Sequence, residues 1–260
     1  MMTYFGLIGY PLSHSFSESY FTEKFSQEGI ADRFRYETYP LAQLTELPAL
    51  IASKPGLLGL NVTIPYKEAV MAYLDELSPA AAEIGAVNTI LFKDGKSIGY
   101  NTDVIGFQDS LDAFLMANGG PASNALILGT GGAAKGIAWV LQNKGVHFDH
   151  VSRTPLAGQL SYQDLNEEIC SGVDLIVNTT PLGMSPNIET CPDIPYHCLG
   201  KGHRLYDLVY NPAETLFLKQ GRAQGAATLN GLAMLHGQAE AAWSIWTNHE
   251  DIARKDEGIR

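Results

Sequence analysis

Short apolar runs alternate with amphipathic segments along the first hundred residues. The alternation predicts, in chain order, strand 3–9, helix 18–28, strand 35–39, helix 41–52, strand 57–63 and helix 66–74. This order is typical of βα units that build a mainly parallel sheet. Segments 86–93 and 97–101 flank Asp94-Gly95, a pair that favours a type I′ hairpin turn because both central residues need positive φ. The first half therefore ends in an antiparallel hairpin.

A second series of strands follows helix 104–117 and the break at Gly119-Gly120-Pro121, which suits a domain junction. A short, fully apolar run predicts a buried strand at 125–128, and a second strand follows at 148–151. Length and β-branched or apolar content predict further buried parallel strands at 175–178 and 205–209, and helices are predicted at 133–144 and 232–246. The sequence thus predicts an α/β protein of two domains.

A glycine-rich segment lies between strand 125–128 and the helix after it. Gly129-Thr130-Gly131-Gly132-Ala133-Ala134 matches G-x-G-x-x-[GA]. The first glycine permits a tight turn, the second lets backbone N–H groups approach a pyrophosphate, and the helix N-terminus supplies partial positive charge. We therefore expect a dinucleotide at this loop.

The end of the next strand indicates which dinucleotide binds. Ser152-Arg153-Thr154 follows Val151 there. Arg153 can pair with the 2′-phosphate of NADP, and the two hydroxyls can donate hydrogen bonds to it. Asp149 is the competing indication for NAD, but it falls inside the strand rather than at its tip. NADP is the favoured cofactor, while an exposed surface Arg153 stays an alternative.

Charge and cysteine content narrow the class of protein. Seventeen Lys and Arg against 28 Asp and Glu give a formal net charge of −11, so the overall field opposes general binding to nucleic acid or anionic membrane. Three cysteines are too few for a disulfide framework, no apolar run is long enough to span a bilayer, and no secretory pattern opens the chain. We expect a cytoplasmic protein with reduced thiols and no metal.

Several polar residues of the first half stand at predicted strand ends. Ser15 and Ser17 alternate along a loop and could hold a carboxylate, although Ser17 could instead cap the following helix. Asn61 and Thr63 share one face of a strand end, with Lys67 one turn later. Asn88 and Asp103 stand in two further turn segments, and the residue pattern alone assigns them no role.

Nine ordered segments together resemble the shikimate dehydrogenase family over nearly the whole chain. They are GYPLSHSFS, NVTIPYK, GAVNT, GYNTD, GTGGAAKG, SRT, NTTPLGM, YDLVYNP and NGLAMLHGQA. The resemblance implies NADP-linked reduction of 3-dehydroshikimate to shikimate in aromatic amino-acid biosynthesis. It also implies a substrate domain at 1–103, completed by 232–260, and a Rossmann-like NADP-binding domain at 104–231.

The resemblance assigns roles to individual residues. Lys67 and Asp103 become the catalytic pair, with the lysine stabilising and protonating the developing alkoxide. Residues implied to hold the substrate are Ser15, Ser17, Asn61, Thr63, Asn88, Tyr210 and Gln238. Residues implied to hold the cofactor, besides the glycine loop and 152–154, are Thr180, Leu208, Gly231 and Met234. The chain departs from the family pattern at Glu18, Ser152 and Ala157, and the last two thin the expected 2′-phosphate clamp.

Four other interpretations stay open at this point. One is a quinate/shikimate dehydrogenase using NAD or NADP, and another is a catalytically silent relative, which should have lost Lys67 or Asp103. The segment 95–99 matches the G-x-S-x-G motif of hydrolases but lies in the predicted hairpin. Zinc ligands at Cys191, His197, Cys198 and His203 would lack the usual spacings. The oligomeric state, monomer or homodimer, is not set by the sequence.

Overall fold

Strands and helices alternate through most of the chain in the computed structural model, which describes residues 2–12 and 15–247. The strands are β1 (Thr3–Gly9), β2 (Phe34–Pro40), β3 (Leu57–Val62), β4 (Glu76–Leu77), β5 (Thr89–Lys93), β6 (Lys96–Tyr100), β7 (Asn124–Leu128), β8 (His147–Ser152), β9 (Leu160–Ser161), β10 (Leu175–Asn178), β11 (Arg204–Asp207) and β12 (Ala227–Leu229). The helices are α1 (Phe16–Gln27), α2 (Leu47–Ser53), α3 (Pro79–Ile84), α4 (Thr102–Ala117), α5 (Gly132–Asn143), α6 (Glu167–Ser171), α7 (Leu216–Ala223) and α8 (Leu232–Thr247), with 3₁₀ turns at Leu44–Glu46, Ala69–Tyr73 and Tyr196–Cys198.

The chain forms two units, each with its own sheet. Unit 1 contains the described residues up to Thr102 and those from Ala239 onward, and unit 2 is Asp103–Gln238. The sheet of unit 1 has the order β2-β1-β3-β5-β6-β4. Its first three strands are parallel, whereas β5 and β6 form an antiparallel hairpin beside β3. Asp94 and Gly95 turn that hairpin with φ of 52° and 76°, as their sequence predicts.

Aromatic side chains fill the core of unit 1 on one face of its sheet. Trp246 of α8 is 1% exposed, stacks on Phe5 with ring centroids 4.7 Å apart, and donates from Nε1 to the Ile90 carbonyl at 3.0 Å. Gly59 of β3 lies directly beneath this indole, where a Cβ atom would collide with Nε1. The last helix therefore closes a core that the first hundred residues begin.

The sheet of unit 2 is parallel throughout, in the order β12-β11-β10-β7-β8-β9. Because β7 comes first in the chain and the order runs outward from it in both directions, the topological switch point lies between β7 and β10. Ligands of open α/β sheets bind at the carboxyl ends of the strands beside such a point. The strands β10 and β11 are buried at every residue, including the polar Asn178 and Asp207 with which they end.

Two predicted helices of unit 1 are wrong in form. Segment 41–52 is divided into a 3₁₀ turn and α2, because Pro48 lacks an N–H and fits only the first turn of a helix. Segment 66–74 forms only the 3₁₀ turn Ala69–Tyr73. There the Lys67 carbonyl accepts from the Val87 backbone N–H at 2.8 Å, so a contact with a distant segment replaces a helical hydrogen bond.

The boundaries between the two units lie near the domain limits predicted from the sequence but do not coincide with them. The divisions fall at 102/103 and at 238/239, inside α8, rather than at 103/104 and 231/232. The first turns of α8 stay with unit 2 because Gly237 packs on Gly106 of α4, where an added Cβ would lie 3.0 Å from the Gly106 Cα. The assignment of substrate binding to one domain and of NADP binding to the other stays a prediction. The part of the predicted substrate domain beyond residue 247 lies outside the described residues.

Candidate active site

The glycine loop begins where β7 ends, at the switch point of unit 2. Gly129 has φ of +115°, and a Cβ there would lie 2.6 Å from Thr179 Oγ1, so both conformation and space require glycine. Gly131 occupies the N-cap of α5 and has no side chain to cap it. Gly131, Gly132 and Ala133 are exposed. The first-turn N–H groups of α5 are thus placed as an anion site requires.

The end of β8 lies beside the glycine loop. The Gly129 N–H donates to the Val151 carbonyl at 2.8 Å, and the His150 ring lies 3.2 Å from the Gly129 carbonyl. Ser152 Oγ accepts from the Thr154 N–H at 3.2 Å and so shapes the turn that follows the strand. Arg153 and Thr154 are exposed on this turn. The three residues predicted for the 2′-phosphate therefore adjoin the loop predicted for the pyrophosphate.

Hydrogen bonds join the neighbouring strand ends of unit 2. The Leu128 carbonyl accepts from Thr179 N–H and Oγ1 at 3.0 and 2.7 Å, and the Leu208 N–H donates to the Asn178 carbonyl at 3.0 Å. Gly231 lies against the Leu208 carbonyl so closely that a Cβ would collide with it. Thr180 follows Thr179, and Met234 is half-buried in the first turn of α8. These residues of the predicted cofactor set occupy the carboxyl edge of the sheet.

The buried Asp207 links residues at this edge of the sheet through hydrogen bonds. No local sequence pattern indicates that role. Its carboxylate accepts from Asn178 Nδ2 at 2.9 Å, from the Val209 N–H at 3.0 Å and from Thr215 Oγ1 at 2.5 Å. Asn178 in turn accepts from the Thr180 N–H and hydroxyl at 3.0 and 2.7 Å. Burial raises the pKa of the Asp207 carboxyl to about 6, against the three hydrogen bonds that lower it.

In unit 1, the predicted substrate residues share one edge of the sheet. Ser15 and Thr63 follow the carboxyl ends of the parallel strands β1 and β3. Asn88 precedes β5, which runs antiparallel to β3 with Asn61 opposite Thr89, so it reaches the same edge. Lys67 is half-buried in the turn after Thr63 and is tied by its carbonyl to Val87. The residues that carry hydroxyl, amide and ammonium groups therefore follow or precede strands at this edge of the sheet.

The two asparagines belong to one buried hydrogen-bond network. Asn88 Oδ1 accepts from the Thr102 N–H at 2.7 Å, from the Thr102 hydroxyl at 3.1 Å and from Thr89 Oγ1 at 3.2 Å. Asn61 Nδ2 donates to Thr89 Oγ1 at 3.1 Å and to the Asn88 carbonyl at 3.3 Å. Because the Asn88 side-chain carbonyl is saturated, a ligand would meet its NH₂ group. Neither Thr89 nor Thr102 was among the predicted site residues.

The first serine, rather than the second, caps α1. Ser15 Oγ accepts from the Glu18 N–H at 3.3 Å, which leaves its O–H to donate elsewhere. The alternative in which Ser17 is the cap is therefore wrong. Ser17 lies in the first turn of α1, where its hydroxyl interacts with Tyr36.

Asn101, next to Thr102, holds a buried Oδ1 with no hydrogen-bond partner among the described residues.

Three further predicted residues lie in unit 2. Asp103 lies in the first turn of α4, and Tyr210 is 42% exposed after β11. Gln238 is buried, and its Nε2 donates to the Leu235 carbonyl of the same helix at 3.0 Å. Their roles toward the substrate stay predictions.

The hydrolase and zinc alternatives find no geometry that supports them. Ser97 stands in the β5–β6 hairpin and donates to Asp75 Oδ2 at 2.7 Å. The G-x-S-x-G nucleophile of a hydrolase would instead stand in a turn between a strand and a helix. The His203 ring contacts the Gly200 and Cys170 backbones, while Cys191 Sγ accepts from Gln220. Within residues 2–12 and 15–247, no group of three or more His, Cys, Asp or Glu could hold a metal ion. No helix in these same ranges is long and apolar enough to cross a membrane.

These two edges define the class of protein: an α/β oxidoreductase with one unit built for a dinucleotide and another that gathers polar groups for a small substrate. Residues 7–90 match the family model described as the shikimate dehydrogenase substrate binding domain. Shikimate dehydrogenase (NADP(+)) of Symbiobacterium thermophilum is 39% identical in an alignment of 265 positions, gaps included, that spans 93% of this chain and 87% of that protein. The chain belongs to the shikimate dehydrogenase family.

Solved structures agree with this assignment. Shikimate 5-dehydrogenase from Thermus thermophilus, in complex with NADP(H) and shikimate, is 32% identical with a TM-score of 0.80, covering 98% of this chain and all (100%) of that one. Quinate dehydrogenase from Corynebacterium glutamicum in complex with NAD is 29% identical with a TM-score of 0.83, covering 98% of each chain. The two-unit α/β fold predicted from the sequence is confirmed.

Proposed function

We propose that the chain catalyses the NADP-dependent interconversion of 3-dehydroshikimate and shikimate, with Lys67 and Asp103 as the catalytic pair. The observation that carries the proposal is the common sheet edge of unit 1, where Ser15, Asn61, Asn88 and Lys67 come together in a chain of this family. The proposal also draws on the complex of the Thermus thermophilus relative with NADP(H) and shikimate.

Hydroxyl and amide groups of unit 1 would bind and orient the substrate. Ser15 keeps its O–H for a carboxylate because its oxygen already accepts from Glu18. Asn88 presents its side-chain NH₂ group to a ligand, since its side-chain oxygen Oδ1 already accepts from Thr89 and Thr102. Neutral donors of this kind bind a carboxylate and ring hydroxyls without adding net charge. Ser17, Thr63, Tyr210 and Gln238 complete the proposed substrate set.

Lys67 would hold the proton that the reaction moves. A bound nicotinamide supplies or takes the hydride, which leaves one proton for the protein to handle. During reduction, the Lys67 Nζ donates a proton to the substrate oxygen as negative charge grows there, and during oxidation it receives that proton back. Asp103 would orient the Lys67 ammonium and the substrate hydroxyl.

The carboxyl edge of unit 2 would hold NADP. The residues present fit the group, because the α5 N-terminus has open N–H groups at Gly131 and Gly132, where no atom lies within 4 Å of an added Cβ. Arg153 would pair with the 2′-phosphate, with the Ser152-Thr154 turn beside it. Thr180, Leu208, Gly231 and Met234 would line the nicotinamide side.

One assay tests the reaction and its rivals together. Formation of reduced nicotinamide is measured for purified protein with shikimate or quinate, each with NADP⁺ or NAD⁺. The expected result is the highest kcat/KM for shikimate with NADP⁺. Higher kcat/KM for quinate, or for NAD⁺, would favour the quinate/shikimate dehydrogenase alternative, to which the likeness to the NAD-bound quinate dehydrogenase points. Binding of shikimate without turnover would favour the silent relative.

A single substitution tests the role of Lys67. Lys67→Ala is expected to lower kcat by about 10²- to 10⁴-fold, the usual contribution of a general acid or base, while the Kd for shikimate changes far less. Lys93→Ala, an exposed lysine at the end of β5 in the same unit, is the matched control. Normal turnover in Lys67→Ala would remove the mechanism.

We further propose a cytoplasmic enzyme that works as a monomer or homodimer. The three cysteines are free thiols, and burial raises the pKa of Cys170 to about 11, so this thiol stays protonated and packs as a small apolar group. Light scattering of the purified protein measures its mass in solution and decides between one chain and two.

A further inference from the structure

Tyr36 of β2 is held in one position behind the predicted substrate residues. Its side chain is 4% exposed, and its ring stacks on Phe21 of α1 with centroids 4.7 Å apart and planes 16° apart. Its strand is fixed by the register Phe5↔Tyr36 with β1. Burial raises the pKa of the Tyr36 hydroxyl, which therefore stays protonated and able to donate.

The Tyr36 hydroxyl holds the side-chain oxygen of Asn61 in place. It donates to Asn61 Oδ1 at 2.7 Å, and on the opposite side Asn61 Nδ2 donates to Thr89 Oγ1 and to the Asn88 carbonyl. An asparagine amide turned by 180° would set Oδ1 against the Asn88 backbone carbonyl, which can only accept, so that carbonyl excludes the turned orientation. The bond from Tyr36 then holds Oδ1 in place in the orientation that remains.

This arrangement restricts what Asn61 can offer a ligand. Both hydrogens of its Nδ2 are used inside the protein, and one lone pair of Oδ1 accepts from Tyr36. The second lone pair of Oδ1 is what remains, so Asn61 is able to accept a hydrogen bond from a substrate hydroxyl but has no hydrogen left to donate.

We propose that Tyr36 is a positioning residue, which fixes the Asn61 amide so that Oδ1 accepts from a ring hydroxyl of the substrate. This inference rests on the proposed function. Tyr36 acts through Asn61 and, by the path Asn61–Thr89–Asn88, supports the second asparagine of the substrate set. Nothing in the local sequence Arg35-Tyr36-Glu37 distinguishes it from an ordinary strand residue.

The test compares Tyr36→Phe with Tyr39→Phe. Both tyrosines lie in β2 with buried rings, but the Tyr39 hydroxyl donates to Glu37 Oε2 at 2.9 Å and does not contact the asparagines. Tyr36→Phe is expected to raise the KM for shikimate about fivefold, the effect of one lost hydrogen bond, with the KM for NADP⁺ unchanged. Tyr39→Phe is expected to leave both KM values unchanged. Melting temperatures of the two variants report any general loss of stability.

A double-mutant cycle and a rescue separate positioning from packing. Because the Ser17 hydroxyl also interacts with Tyr36, the cycle is measured in a Ser17→Ala background. If Tyr36 acts through Asn61, then Tyr36→Phe added to Asn61→Ala causes no further rise in KM there. Replacing Tyr36 with 4-aminophenylalanine, which keeps a donor at the ring tip, restores a KM near that of the wild type. An unchanged KM in Tyr36→Phe, an undiminished effect in the Asn61→Ala background, or no rescue overturns the proposal. Failure of the wild type to oxidise shikimate would instead overturn the proposed function.

Discussion

Asp207 offers a test in which a single buried carboxyl group controls how stability depends on pH. Burial raises its pKa from 3.8 to about 6 in the folded protein. The folded state therefore binds the proton more tightly than the unfolded state does. The contribution of this group to the free energy of unfolding is greatest below pH of about 4 and is lost as pH rises through about 6. At about 1.4 kcal/mol for each pKa unit, the loss amounts to about 3 kcal/mol.

Asp207→Asn should remove this loss without breaking the surrounding hydrogen bonds. The amide oxygen can still accept from Asn178 Nδ2 and the Val209 N–H, while the new NH₂ group donates to Thr215 Oγ1, which is able to accept. The variant is thus expected to be more stable than the wild type at pH 7, by up to about 3 kcal/mol. Below pH of about 4 the two proteins should be equally stable.

The assay is urea unfolding, followed by circular dichroism, of both proteins between pH 3.5 and 7.5, a range of roughly two units on either side of the shifted pKa. The difference between the two curves isolates Asp207 from the other carboxyl groups. Asp75→Asn is a control of opposite sign, because hydrogen bonds from Ser97 lower the pKa of Asp75 and its contribution is lost as pH falls. A stability difference for Asp207→Asn that does not change with pH would refute the reasoning.

Two further substitutions probe the cofactor edge and the core. Arg153→Ala is expected to raise the KM for NADP⁺ about tenfold, as loss of a charge-assisted contact does, with the KM for NAD⁺ nearly unchanged; equal effects on both would exclude a 2′-phosphate role. Gly59→Ala is expected to lower the free energy of unfolding by about 3 kcal/mol, because the added methyl group displaces the Trp246 indole from the Ile90 carbonyl. Urea unfolding measures this free energy for Gly59→Ala and the wild type, and an unchanged unfolding midpoint would contradict the described packing.

Local pattern was enough to predict the elements that their own residues determine. The strands β1 and β10 have the predicted bounds, since each apolar run ends at a residue that breaks it, Gly9 in β1 and Asn178 in β10. The glycine loop was also predictable, because a strand, a positive-φ glycine and a helix N-terminus follow one another within a few residues. Helix 66–74 was wrong because the Lys67 carbonyl bonds to Val87, a partner that no window of local sequence contains.

The same distinction separates the predicted site residues from the missed ones. Motif resemblance names Asn61 and Asn88, but not the residues that contact them: Tyr36 lies in a segment with no distinctive pattern, and Thr89 stands inside the quoted segment GAVNT with no role assigned to it. Asp207 stands inside the quoted segment YDLVYNP, but its role depends on Asn178, which belongs to a neighbouring strand. Tertiary hydrogen bonds of this kind become visible only when the strands are placed side by side.

The interrupted path of the chain through unit 1 sets an order for folding during synthesis. Residues 103–238, the 136 residues of unit 2, are translated between the first sheet and Trp246, which covers that sheet. At about 5–20 residues per second, the aromatic face around Phe5 waits roughly 7 to 27 s for its indole partner. Unit 2 has no such delay, because its strands emerge consecutively. The aromatic face of the first sheet is therefore apolar surface that stays uncovered until the last helix has been made.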